Sequence, residues 1–247
     1  MTKFFHEKIK ITGRSEEASG IYCLKFNSAA ISSKVLPGQF LQLRIEGKTL
    51  RRPISIFSCH GEELQIAFKV RGKGTAILSS MEPGAYIDVL GPLGSPFPLD
   101  NGRPLFVAGG IGAAPLNFLA SKTATRGVFI YGTADGSEAL KLSGVESSGH
   151  RIVPVSEKTD SKLATDLMSS YIADSDIVYA AGPKAMLKTA AKICMENSKK
   201  GYISWEERMG CGFGVCLSCA VKTVKGYKRT CMEGPVFSIE ELDWDDC

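Results

Sequence analysis

The 247-residue chain has little that would hold it in a membrane or on a polyanion. No apolar stretch approaches the roughly 20 residues needed to cross a bilayer. The opening "MTKFFHEKIKITG" lacks the basic, apolar and small-residue regions of a secretory signal. These absences predict a cytoplasmic protein with no membrane partner. Charge of one sign is also scarce: the formal net charge is +4, and the longest basic runs are the pairs Arg51-Arg52 and Lys199-Lys200. A mild, dispersed balance of this kind excludes the clustered basic footprint of a nucleic-acid-binding protein. Internal repeats and low-complexity stretches are absent as well. What remains is an ordinary globular composition, 44% hydrophobic and 23% charged, on a chain long enough for more than one domain.

Three regions differ in pattern. Residues 1–99 carry short runs rich in β-branched and aromatic side chains: "IYCLKFNS", "QFLQLRIEG", "RRPISIFSC", "ELQIAFKVRG" and "AYIDVLGPLG". Gly and Pro punctuate them, and one helical interval, "GTAILSSME", interrupts them. That pattern predicts an antiparallel β-barrel or sandwich. Residues 100–200 alternate strands with helices, in "RPLFVAGGIGAAPLNFLASKTA", "GVFIYGTADG", "HRIVPVSE" and "DIVYAAGPKAMLKTAAKICMENSKK". Alternation predicts a doubly wound parallel α/β domain. Residues 201–247 form a small cysteine-rich tail.

The tail holds the most specific motif, Cys211-x4-Cys216-x2-Cys219-x11-Cys231. It matches the C-x4-C-x2-C…C spacing of plant-type [2Fe–2S] proteins, in which four thiolates converge on two iron atoms. Gly210, Gly212 and Gly214 alternate with larger residues, which lets a loop wrap a cluster at positive φ without Cβ clashes. Structural zinc is the main rival, but it commonly uses two C-x2-C-like pairs, and the second half here has a lone cysteine. Cys23, Cys59, Cys194 and Cys247 have no such spacing and read as ordinary thiols.

A cluster that moves single electrons needs a redox neighbour. Arg52-Pro53-Ile54-Ser55 offers a guanidinium for a flavin-nucleotide pyrophosphate and a strand backbone for the ring edge. Gly72-Lys73-Gly74-Thr75 opens the helical interval as a glycine turn suited to an anion. Farther on, "VAGGIGAAP" places Gly109, Gly110 and Gly112 between a strand and a helix with Pro115 in its first turn. Such a turn admits a dinucleotide pyrophosphate. "AAGPKAM" repeats the geometry, so the two turns are expected to frame one crevice. Asp135, at the end of "YGTADG", would repel a 2′-phosphate and favours NAD(H).

In this order, R-P-x-S, a later G-x-G-T, and G-G-x-G-x-x-P, the parts resemble the ferredoxin–NADP reductase superfamily. The frame "ERMGCGFGVCLSC…CMEGPVF" narrows the resemblance to the electron-transfer subunits of dihydroorotate dehydrogenase B, and it extends over essentially the whole chain. The resemblance implies FAD held by Arg52, Pro53, Ile54, Ser55, Ala67, Phe68, Lys69, Gly74 and Thr75. It implies a [2Fe–2S] cluster on Cys211, Cys216, Cys219 and Cys231, and NAD(H) in the α/β domain. It also implies a catalytic partner carrying FMN, in a heterotetramer of two of each subunit. Where relatives commonly carry a cysteine before Gly-Pro, this chain has Ala181. Related subunits that serve a hydrogenase or a ferredoxin-linked transhydrogenase would share the cofactors, and a zinc-stabilised binding module would share neither flavin nor iron.

Overall fold

A computed structural model describes residues 4–245, so Cys247 lies outside the described residues. The first half closes into a six-stranded antiparallel barrel. Its strands are β1 (Phe5–Ala18), β2 (Ile21–Asn27), β3 (Phe40–Arg44), β4 (Arg52–His60), β5 (Glu63–Lys69) and β6 (Tyr86–Leu93), joined in the order β1-β2-β5-β4-β3-β6. The short helix α1 (Ala29–Ser32) follows β2, and α2 (Lys73–Ser79) follows β5. Alternate residues face inward, so Ile9, Ile11, Leu24, Phe26, Leu41, Leu43, Ile56, Leu64, Ile66 and Val89 fill the interior. The segments singled out above supply five of the six strands. The sixth, β1, alternates charge with few apolar residues ("HEKIKITGRSEE"), and only its pairing to both β2 and β6 makes it a strand. Barrel closure, not local propensity, decided it.

The second half is a six-stranded sheet in the order β14-β11-β10-β7-β8-β9. Its parallel members are β7 (Pro104–Gly109), β8 (Val128–Thr133), β9 (Arg151–Ser156), β10 (Ile177–Ala181) and β11 (Lys200–Ser204). The last strand, β14 (Val236–Ser238), runs antiparallel to β11, so the cysteine-rich tail leaves the sheet and returns to it. Between them lies a hairpin of β12 (Ala220–Thr223) and β13 (Gly226–Arg229). Helices α3 (Ala113–Ala120), α4 (Ser143–Ser147), α5 (Glu157–Asp160) and α6 (Lys184–Glu196) connect the parallel strands. Both faces of β7 are buried: Phe106 and Ala108 pack on the side of α3, Leu105 and Val107 on the side of α6. No helix among the described residues is long and apolar enough to cross a membrane.

Barrel and sheet share a buried apolar cluster, and one buried polar side chain within the interface fixes their relation. Asn117, in the wholly buried α3, donates through Nδ2 to the Phe57 carbonyl of β4 at 3.2 Å. Its Oδ1 accepts the N–H groups of Gly144 and Val145 at 2.9 and 3.3 Å. A strand that begins at Arg52 and a helix that begins beyond Gly112 are thereby held in fixed relation. Cys23, Cys59 and Cys194 are buried, and desolvation pushes the Cys23 and Cys194 thiols up to about 12. At neutral pH they are inert packing groups.

Candidate functional site

Where barrel meets sheet, a cleft of about 1060 Å³ opens. Its walls carry Lys48, Arg52, Arg71, Lys73, Lys184 and Arg208 against only two carboxylates, Glu206 and Glu207, with Gly72, Gly74 and Thr75 completing the lining. Six cations facing two anions make a receptor for an anionic ligand. Arg52 reaches the cleft because Gly74 has no side chain: a Cβ there would lie 2.6 Å from the guanidinium Nε. The guanidinium donates to the Leu50 carbonyl at 2.7 Å, which leaves further N–H groups for a ligand. Thr75 Oγ1 accepts the N–H groups of Arg71 and Gly72 at 2.9 and 3.2 Å, fixing the turn into α2. Pro53 and Ser55 line an adjoining recess of about 50 Å³ together with Phe40, Ser204, Met209 and Pro235.

Other expected flavin residues stand off the cleft. Ile54 is half-buried against the barrel core, Ala67 and Phe68 are buried, and Lys69 pairs with Glu138 at 2.7 Å. The opposite wall holds residues to which the sequence reading gave no role, although Lys184 falls in "AAGPKAM" and Glu207 opens the cysteine frame. Lys184, at the start of α6, pairs with Glu207 and sits 4.6 Å from the Trp205 ring centroid. Trp205 Nε1 donates to the same Glu207 carboxylate at 2.9 Å. Glu206 can be reached from the cleft, yet the walls crowd it. Lost hydration holds its carboxyl above the usual range, with Arg71 opposing.

The two glycine turns lie side by side, because β7 and β10 are hydrogen-bonded neighbours with Ala108 opposite Ala181. At Gly112 a Cβ would lie 2.4 Å from the Ala181 carbonyl oxygen, and at Gly109 it would strike Met186 and Pro183 at 2.8 Å. Gly110 differs: its φ is +52° and nothing lies within 4 Å of where its Cβ would be. Two of these glycines permit packing, and the third faces open space at the strand ends, where nucleotides bind such sheets. Pro115 is buried inside α3. At the end of β8, Asp135 pairs with Lys158 at 2.7 Å, and the ammonium lowers the carboxyl to about 2.

The cysteine loop lies against the barrel. Cys219 and Cys231 are buried with Phe40, Leu90 and Leu93, whereas Cys216 is exposed and Cys211 intermediate. The sulfurs receive backbone N–H groups. Cys211 N–H points at Cys216 Sγ at 3.3 Å, while Val215 and Cys216 N–H point at Cys211 Sγ at 3.3 and 3.4 Å. The Cys211 N–H and the Ser218 hydroxyl lower the Cys216 thiol to about 6. Burial, followed by the neighbouring Cys219 thiol, raises Cys231 to about 12. Among the described residues no three His, Cys, Asp or Glu side chains are grouped as one metal ion would need. The loop nevertheless forms a cradle for a larger group: Gly212 and Gly214 have φ of +80° and +88°, and a Cβ on either would strike Gln42 or Met232. Leu217, a bulky residue, also holds φ at +59°, a strained conformation that concentrates at functional sites. Arg229 braces the loop, donating to the Gly214 carbonyl at 2.9 Å while paired with Glu233. Phe213, Val215 and Leu217 are 39%, 72% and 61% exposed, so they face outward and do not form a core for the tail.

Comparison with known proteins agrees with this layout. Residues 8–97 match an oxidoreductase FAD-binding domain, and residues 206–243 match the iron–sulfur cluster binding domain of dihydroorotate dehydrogenase B. The electron transfer subunit of NAD(+)-dependent dihydroorotate dehydrogenase B from Caldanaerobacter subterraneus subsp. tengcongensis is 38% identical over 243 residues, spanning 95% of this chain and 97% of the relative. Its counterpart from Lysinibacillus sphaericus is 33% identical, spanning 94% and 96%. Among solved structures, one from work on flavin-based electron bifurcation in the NADH-dependent reduced ferredoxin–NADP oxidoreductase superposes with a TM-score of 0.87 at 27% identity, covering 96% of this chain and 90% of that one. The ferredoxin reductase of carbazole 1,9a-dioxygenase shares the fold at a TM-score of 0.67 and 18% identity, covering 79% of this chain and 67% of that one. With a barrel of the FAD-binding type, a cysteine frame of the cluster-binding type and relatives aligned along nearly the full length, the chain belongs to the family of electron transfer subunits of NAD(+)-dependent dihydroorotate dehydrogenase B.

Proposed function

We propose that this chain passes electrons from the FMN of a dihydroorotate-oxidising catalytic subunit, through its own [2Fe–2S] cluster and FAD, to NAD, within pyrimidine biosynthesis. The observation that carries the reading is the position of the cysteine loop. Its inner thiols rest on the barrel beside the cleft, and its outer thiol reaches the surface among exposed apolar side chains. A relay needs both faces. On this route a bound FAD would collect electrons arriving singly from the cluster and would give them up to NAD as a pair. The chain's own task is placement.

Arg52 and the turn at Gly74 and Thr75 would hold the flavin pyrophosphate, with Pro53, Ile54 and Ser55 along the ring edge and Ala67, Phe68 and Lys69 as the neighbouring strand. Gly109, Gly110, Gly112 and Pro115 would set the nicotinamide dinucleotide against α3. Cys211, Cys216, Cys219 and Cys231 would ligate the cluster. We take residues 1–99, 100–200 and 201–247 as the flavin, nucleotide and cluster domains, and two copies of each subunit as the assembly. A cytoplasmic setting belongs to this reading, because four ligating thiolates need a compartment that keeps thiols reduced.

The test is Cys216→Ser in the complex with the catalytic subunit. Transfer between dihydroorotate and NAD is expected to fall by more than about a hundredfold, since even outer-shell changes at metal sites cost 10–100-fold. NADH-driven reduction of an artificial acceptor that draws on the flavin persists. Normal transfer from dihydroorotate to NAD in that variant would show that the loop is not a relay. The likeness to the bifurcating oxidoreductase at a TM-score of 0.87 favours a second reading, in which the same cofactors serve a ferredoxin-linked or hydrogenase partner. Purifying the chain with its native partner and assaying dihydroorotate oxidation separates the two.

A further inference from the structure

Gln42 occupies the centre of β3, opposite Pro53 of β4 on one side and Leu90 of β6 on the other. Its neighbours Leu41 and Leu43 point into the barrel, so Gln42 points out. On an uncovered barrel that position would meet water. Here the cysteine loop lies over it, and the side chain is wholly buried.

A carboxamide brings two N–H donors and an acceptor oxygen, and a buried one is ordinarily satisfied. Gln42 is not. Among the described residues its Oε1 has no partner, and its Nε2 meets only the Met209 thioether at 3.9 Å. Leu90 across the ladder and Phe40 two residues before it belong to an apolar cluster with Leu93, Cys219 and Cys231. The amide is also pressed against the loop at one particular point. A Cβ on Gly212 would lie 2.2 Å from Nε2, so Gly212, next in sequence to Cys211, is bare where the amide approaches. An amide nitrogen whose N–H groups meet no more than a distant thioether, given a glycine's worth of clearance beside a cysteine of the loop, calls for an acceptor that the described residues do not supply.

We propose that Gln42 donates an amide N–H to the sulfur shell of the iron–sulfur cluster and thereby sets its reduction potential. The sulfurs of such a cluster are hydrogen-bond acceptors, and donors aimed at them raise the potential because they stabilise the reduced, more negative state. Lying between the flavin strand at Pro53 and the cluster loop at Gly212, Gln42 adjusts the electron's preference for the cluster relative to the flavin while touching neither substrate. The proposal rests on the assignment of the four cysteines as cluster ligands.

The experiment is an anaerobic redox titration of the complete flavin-loaded chain, followed by electron paramagnetic resonance of the reduced cluster, in wild type and Gln42→Leu. Leucine keeps the bulk and removes the amide. The expected result is an unchanged iron and sulfide content, a cluster midpoint displaced to lower potential, and an unmoved flavin midpoint. A full cluster with an unmoved midpoint overturns the proposal and leaves the cysteine assignment intact, whereas a wild-type protein with no iron–sulfur absorption ends both. A second measurement needs no variant. The chain has three glutamines, and Gln39 and Gln65 are engaged elsewhere, with the Gly94 carbonyl and the Glu63 carboxylate. Labelling only glutamine side-chain amides with 15N is expected to give a weak nitrogen coupling to the reduced cluster. Its absence in the wild-type spectrum would equally overturn the proposal.

Discussion

The cationic cleft is walled by the ends of regular elements: the start of β4, the turn into α2, the start of α6 and the chain leaving β11. The cysteine loop has neither helix nor strand between β11 and β12. It is held by N–H groups directed at sulfurs, by Arg229, and by residues at positive φ, including the non-glycine Leu217. A site made from strand and helix ends is paid for by the core beneath it and stands ready for its ligand. A site made from strained loop needs its ligand to complete it. The two therefore differ in what each loses when its own ligand is removed.

The sharpest break between them is Cys216→Ser. Beyond the kinetic collapse described above, amide hydrogen exchange in residues 205–219 is expected to speed up while β4 and β7 keep their protection. Equal loss of protection in both places would mean that cleft and loop are one cooperative unit. Arg52→Ala strikes the other side of the comparison. Removing a charge-assisted pyrophosphate contact costs about 1.5–3 kcal/mol, a roughly 10- to 150-fold weaker FAD dissociation constant. The cluster's visible spectrum stays intact, and full flavin occupancy at unchanged affinity would remove Arg52 from the site.

Gly110→Val is next. Forcing a β-branched residue to φ near +52° costs about 1–3 kcal/mol, and its side chain enters the open space at the strand ends. NADH reduction of bound flavin is expected to slow roughly 5- to 150-fold. Rapid-mixing traces identical to wild type would place the nucleotide elsewhere. The smallest effect belongs to Asp135→Asn, which frees Lys158 to meet a 2′-phosphate and narrows the preference for NADH over NADPH by a few-fold, about 1 kcal/mol or less for an exposed pair. The sign of its pH dependence follows from the depressed carboxyl. Asp135 stays ionised from neutral pH down to about 2, so the wild-type preference is flat above that and protonation alone does not release Lys158. A preference that changes between pH 5 and 8 would point to another group.

The segments legible in sequence were those whose chemistry is local. Four cysteines at fixed spacing, R-P-x-S on one strand and a glycine turn between strand and helix are each visible within about twenty residues, because each is a pattern of neighbours in the chain. The strand β1 did not declare itself: its alternating charges carry little apolar signal, and its place was set by two partners, β2 and β6. Phe213, Val215 and Leu217 were equally compatible with a small core or an outer face, and the fold turned them outward.

Composition and spacing by themselves determined a β-rich half, an alternating α/β half and a four-thiol loop, since each follows from periodicity or from cysteine count, while their flavin and dinucleotide character came from short motifs and the resemblance they carry. Only the tertiary structure decided how the three meet. Asn117 ties β4 to α3, and Lys184 with Glu207 closes the far wall of the cleft. Gln42 is buried by a loop containing Met209, 167 positions farther along the chain. An outward-facing glutamine on a strand looks like any solvent-exposed residue, and no local pattern distinguishes it. Its role depends on which surface folds over it, and burial and hydrogen-bond satisfaction are properties of the packed molecule.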